Sequence, residues 1–224
     1  MTFNRMGFLN SSDKQQLVWD ESALTLAPAT DGVVSLGTKA KRLLVNGSGG
    51  APAGVLFTAF NGTEKHSFTA RASLMTGATL TGPGTAGTVP AAALNQIGRY
   101  IEWDLWGYIG NTATPNFTID IALGSTVVWT TASFASVAIT GSGTWHAFGQ
   151  LVTVTTGATG TVIGQGSFNY HQTVLLSTGI STALTAAVTV DLTAAQAFTV
   201  NATCGTSSAS NKVALTSGRV IIGG

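Results

Sequence analysis

From Leu105 to Asn211 the chain carries only two formally charged side chains, Asp120 and Asp191, while Thr, Ser, Gly, Ala and Val recur in short alternating runs. Alternation sends successive side chains to opposite faces of a strand, so a long stretch of it restricts the chain to β-structure with one face turned inward. The missing charge is a second restriction. Soluble domains keep about a quarter of their residues charged, and this chain keeps 8%, with a mean hydropathy of +0.33. Ten Phe and five Trp are too few for a very large core to explain that hydropathy, so part of the surface is expected to be covered by other copies or by a larger particle.

The same poverty argues against an enzyme. Proton transfer and metal activation need several titratable groups tuned against one another, and this stretch adds only His146 and His171 to its two carboxylates. No cofactor is expected. A formal net charge of +1 supplies no basic field, so nucleic acid is not an expected partner. Residues 1–12 show neither a signal-peptide pattern nor a spanning apolar run, so no membrane partner is expected either. Cys204 is a lone cysteine, which fits assembly in a reducing cytoplasm.

Residues 1–46 are mixed in charge and sparse in apolar side chains, and they read as an attachment arm. Within it Leu17-Val18-Trp19, Leu24-Thr25-Leu26 and Val33-Val34-Ser35-Leu36 look like short strands punctuated by Pro28 and Asp31-Gly32. Residues 47–54, rich in Gly and Ser and containing Pro52, read as a hinge. Residues 55–224 then form the main domain.

Within that domain, residues 99–109 put Ile101, Trp103, Leu105 and Ile109 on one face of a long strand and Glu102, Asp104, Trp106 and Tyr108 on the other. Residues 117–123, the turn Gly124-Ser125 and residues 126–129 read as a hairpin. Further strands are expected over 55–60, 68–74, 144–155, 161–176, 186–192, 196–204 and 212–222. About nine strands with Gly-, Ser- and Asn-rich turns make an antiparallel β-sandwich the expected architecture. Residues 91–97 after Pro90 are the one place where a helical turn is expected.

The order of these segments carries a resemblance. Val89-Pro90-Ala91, the long aromatic strand, and residues 110–128 (Gly-Asn-Thr-Ala-Thr-Pro-Asn-Phe-Thr-Ile-Asp-Ile-Ala-Leu-Gly-Ser-Thr-Val-Val) resemble the jelly-roll modules of tailed-bacteriophage virion proteins, and residues 188–211 look the same way. Residues 31–43, in which a Leu36-Gly37 turn precedes Lys41-Arg42, are similar to a segment near the base of phage fibre and baseplate proteins, although Leu43 stands where an aromatic commonly follows. The resemblance implies an all-β, jelly-roll-like sandwich behind an extended arm of short strands, in a homotrimeric virion component assembled in the host cytoplasm. Its implied partners are the major capsid protein, if it decorates a capsid or forms a head fibre. Tail or baseplate proteins and a host surface glycan are the partners if it is a small tail-fibre or receptor-binding subunit.

Several residues are candidates for contact. Trp19, Lys39, Lys41 and Arg42 would attach the arm, and Trp106 and Tyr108 would anchor an interface as large aromatics on an otherwise polar face. Glu102 and Asp104, roughly 6.5 to 7 Å apart along the strand, could with Asp120 and Trp106 imitate a glycosidase site, but adjacent acids on an outer strand face are ordinarily solvated or paired. Arg99 reads as a strand end, and Trp103 as core. Gly141-Ser-Gly143 and Gly164-Gln-Gly166 read as turns or bulges, not as nucleophile elbows.

Overall fold

The computed structural model describes residues 7–11, 14–18, 54–81, 87–136, 139–173, 176–183 and 186–223. It divides the chain into two compact units, Met1–Leu43 and Leu44–Gly224. In the first, β1 (Gly7–Ser11) and β2 (Lys14–Val18) pair as an antiparallel hairpin with Ser11 opposite Lys14. Trp19, Lys39, Lys41, Arg42 and the strand-like pieces at 24–26 and 33–36 lie outside the described residues, as does the hinge except for Gly54.

The second unit is all-β and antiparallel throughout, with its strands in two packed sheets. Gly54 opens β3 (Gly54–Phe60), which is followed by the short strands β4 (Lys65–His66), β5 (Ala72–Ser73), β6 (Thr79–Thr81) and β7 (Thr88–Val89). Then come β8 (Tyr100–Asn111), β9 (Asn116–Leu123), β10 (Thr126–Thr130), β11 (Phe134–Ala135), β12 (Ile139–Thr155) and β13 (Gly160–Thr173). The chain closes with β14 (Leu176–Ala183), β15 (Val188–Val190), β16 (Gln196–Cys204) and β17 (Lys212–Gly223). The larger sheet runs β14-β13-β12-β8-β17-β3-β6, with β15 on β13 and β4 on β17. The smaller runs β10-β9-β16-β5, with β11 on β9 and β7 on β16.

Three expectations change. The single strand expected over 68–74 is only Ala72–Ser73, and the run expected over 161–176 stops at Thr173, with β14 beginning at Leu176. No helix occurs among the described residues. After Pro90 the chain makes successive turns, Ala93 N–H donating to Pro90 O and Asn95 N–H to Ala92 O, and Ala92 sits at φ 58°, a left-handed conformation that no α-helix accepts.

The core explains the glycines. Across the β8–β12 ladder Trp145 stands opposite Gly107 and Trp103 opposite Gly149. A Cβ on Gly107 would collide with the Trp145 indole and the Ala214 carbonyl, and one on Gly149 would lie 2.7 Å from Trp103 Cζ2. Gly164 and Gly166 are therefore not turn residues. They sit in the regular β12–β13 ladder, and a Cβ on Gly166 would come within 2.9 Å of Trp129 Nε1. Glycines on the inner face of the larger sheet thus leave sockets for indoles, and Trp129, from the smaller sheet, reaches across to Trp103 at 5.9 Å between ring centroids. Phe57 on Phe198 and Phe134 on Phe168 make the same inter-sheet contact elsewhere. Gly141 and Gly143, by contrast, do coincide with an irregularity, the register shift between Ile139 and Gly143.

Candidate functional site

Because the inner face of the larger sheet is committed to the core, period two turns Glu102, Asp104, Trp106 and Tyr108 outward together, as their parity requires. Register then decides their neighbours. Asp104 lies opposite Phe148 of β12 and Arg219 of β17, and Phe148 lies opposite Ser167 of β13. One row along, Glu102 pairs with Ile221 and Gln150, and Gln150 with Gln165. The next row in the other direction holds Ser217, Trp106, His146 and Asn169.

A trough of about 500 Å³ opens on this outer face, lined by Glu102, Asp104, Phe148, Gln150, Gln165, Ser167, Arg219 and Ile221, with Trp103, Gly149 and Gly166 completing it. At its edge Asp104 Oδ1 lies 2.7 Å from His146 Nε2, and Arg219 Nη2 is 3.9 Å from Asp104 Oδ2. Trp106 stacks on the His146 ring at 3.8 Å and 8°, and His146 leans on Phe148 at 4.9 Å. Trp106 and Phe148 are still 44% and 40% exposed. An aromatic rank with a histidine at its centre therefore stands beside a polar trough.

Tyr108 belongs to a different cluster. Its hydroxyl donates to Glu64 Oε2, which also lies 3.8 Å from Lys212 Nζ, and that ammonium sits 5.7 Å from the Tyr108 ring centroid. His66 Nε2 approaches the other Glu64 oxygen at 2.5 Å. Burial, and after it the Glu64 carboxylate, pushes the Tyr108 phenol up to about 12. Trp106 and Tyr108 thus share a face, as their spacing predicts, but do different things on it.

Asp120 does not join them. It lies on β9 of the smaller sheet, 5% exposed, where Arg71 Nε donates to its oxygens at 3.0 and 2.9 Å and Asn201 Nδ2 donates at 2.9 Å. The hydrogen bond to Asp120 raises the Arg71 guanidinium above its ordinary value. The carboxylate constellation imagined from sequence is therefore not assembled: Asp120 is an internal anchor, and Asp104 is engaged by a histidine and an arginine. Trp129 and Trp145 are fully buried, and Trp103 is core as expected. Arg99 stands just before β8 and is buried, its Nε donating to Ala93 O at 3.1 Å. Cys204 is buried too, its thiol donating to Thr206 O. Among the described residues no three His, Cys, Asp or Glu side chains come together as metal ligands would.

The His146–Asp104 contact and the trough were missed from sequence. Both residues have outward parity, which could have placed them on one face, but only the register of two strands far apart in sequence makes them touch. Comparison with known proteins finds no matching family model, curated protein or solved structure.

Proposed function

We propose that this chain is a non-enzymatic structural protein of a tailed-phage virion, a homotrimer whose N-terminal arm attaches to the particle and whose sandwich is displayed outward as a capsid decoration or head-fibre subunit. The observation that carries this reading is the outer face of the larger sheet, which leaves Phe60, Trp106, Phe148 and Ile163 each more than a third exposed. Apolar side chains clustered on one face of a charge-poor domain are a surface that another subunit can cover. The nested pairing of β8 with β17 in one sheet and β9 with β16 in the other supports a jelly-roll form of the sandwich. In this reading Lys39, Lys41 and Arg42 set the register of the arm on its acceptor, and the major capsid protein is that acceptor.

The experiment is light scattering on the purified chain together with copy counting on particles. A mass near three times 22.7 kDa and hundreds of copies per particle are the expected results. A monomer at micromolar concentration would remove the trimer, and a few copies per particle would remove capsid decoration. The trough favours a second reading, a small tail-fibre, receptor-binding or baseplate subunit that touches host glycan, because a polar-lined concavity beside exposed aromatics suits a small ligand better than a flat subunit contact.

A further inference from the structure

The geometry points to the trough between β8, β12, β13 and β17 as a binding site for a neutral oligosaccharide, an inference that rests on the second reading above and names its ligand. Four side chains that line it, Glu102, Gln150, Gln165 and Ser167, have no hydrogen-bond partner among the described residues. Three strands therefore bring two carboxamides, a hydroxyl and a carboxylate to one concavity with no partner for them among the described residues. The carboxamides and the hydroxyl donate and accept while the carboxylate accepts, and paired hydroxyls on a pyranose ring are the complementary set. The Phe148 ring forms one wall and Trp106 stands in the adjoining row, so the apolar C–H face of a sugar has an aromatic surface to lie on.

Charge selects within the class. Glu102 and Asp104 are opposed by Arg219 alone among the charged residues of the lining, and the Arg219 guanidinium leans towards Asp104. Phosphates, uronates and sialic acids would enter against an excess of carboxylate, whereas an uncharged sugar incurs no such repulsion. A purely apolar ligand would have to strip water from two acids and two amides without replacing it. The ladder beneath these side chains fixes the backbone that carries them, so binding has side-chain rotamers to order but no strand.

The test is isothermal titration of the full chain with an N-acetylglucosamine tetramer and with maltotetraose, with tetragalacturonate as the anionic comparison. Saturable binding of at least one neutral probe is expected, with the anionic probe weaker by about tenfold or more. Phe148→Ala and Gln165→Ala should each weaken the neutral probe by about tenfold, while Ile97→Ser, an exposed change outside the trough, should leave it unchanged. Unaltered melting temperatures in all three variants would show that the fold is intact. No saturation by either neutral probe up to about 10 mM, or binding untouched by both trough variants, would overturn the inference. Preference for tetragalacturonate would overturn the neutral-sugar assignment while leaving glycan contact standing. Binding of a neutral probe by a protein present in hundreds of copies on the capsid would keep the site and remove the tail-subunit reading instead.

Discussion

The socket that Gly107 provides for Trp145 can be tested as a matter of volume. A methyl group added at Gly107 would meet the Ala214 carbonyl on one side and the Trp145 indole on the other. The carbonyl belongs to the β8–β17 ladder, and the indole is fully buried and packed on Phe168 at 6.1 Å. Neither neighbour has room to retreat, so Gly107→Ala should sit at the upper end of the overpacking range, about 3 kcal/mol of lost stability. Gly205 is the matched control, since its nearest neighbour to an added Cβ is Asn116 O at 3.5 Å, an ordinary contact. Gly205→Ala should change stability by no more than about 1 kcal/mol. Shortening the obstructing ring offers a rescue: Trp145→Phe alone leaves a void and destabilises, but combined with Gly107→Ala it should recover about 1–2 kcal/mol relative to the sum of the single changes. Urea unfolding at fixed pH, read as midpoint and slope for the four variants and the parent, measures all of this. A Gly107→Ala midpoint within error of the parent, or strictly additive behaviour in the double variant, would show that the glycine does not serve the indole.

Two further outcomes are expected. Arg71→Ala leaves Asp120 buried with Asn201 as its remaining side-chain partner, and because Arg71 itself is partly exposed the loss should be about 2–3 kcal/mol in denaturant unfolding; Asp120→Asn in the same background should restore part of it, and an Arg71→Ala protein as stable as the parent would contradict the anchoring role. Burial pushes the Tyr170 phenol up to about 12 from 10.0, so the unfolded chain ionises first, and the stability present below pH 10 should fall as pH rises towards 12, by about 1.4 kcal/mol at pH 11 from this group. Tyr108, also raised to about 12, adds in the same direction, so Tyr170→Phe should reduce the alkaline slope of the urea midpoint without abolishing it; an unchanged slope would refute the assignment.

What could be read from the sequence follows the range of the interactions involved. Period two is a local signal, and it placed β3, β8, β9, β10, β16 and β17 and assigned Trp103 and Trp106 to opposite faces. The Gly124-Ser125 turn was legible for the same reason, since Gly124 adopts φ 58° there. By contrast β14, with the sequence Leu-Ser-Thr-Gly-Ile-Ser-Thr-Ala, has too few apolar residues to alternate, and it forms because β13 offers it an edge. Residues 68–74 look like a strand but pair only at Ala72 and Ser73, with Leu74 N–H donating separately to Val200 O. The trough needed the joint register of four strands, which no local pattern encodes. A glycine in a strand usually marks a break, and that Gly166 instead leaves space for the Trp129 indole and Gly164 clears the Val128 carbonyl appears only once the second sheet is in position.

The ladder order also sets a schedule for the chain. Strand β8, at the centre of the larger sheet, has one of its two neighbours in β17, and β9 has one of its own in β16, so both partners are translated long after the strands they complete. Until then β8 and β9 each present an open edge, and β3 and β6 have no route into the sheet, because β17 is what joins β3 to β8. Such late, distant closure predicts folding on the slow side for a domain of this size and an interval in which unpaired edges can recruit other chains. The chains met in that interval compete with β17 for the open edges of β8 and β9, so the timing of β17 governs how much of the product completes the fold and how much is lost to aggregates.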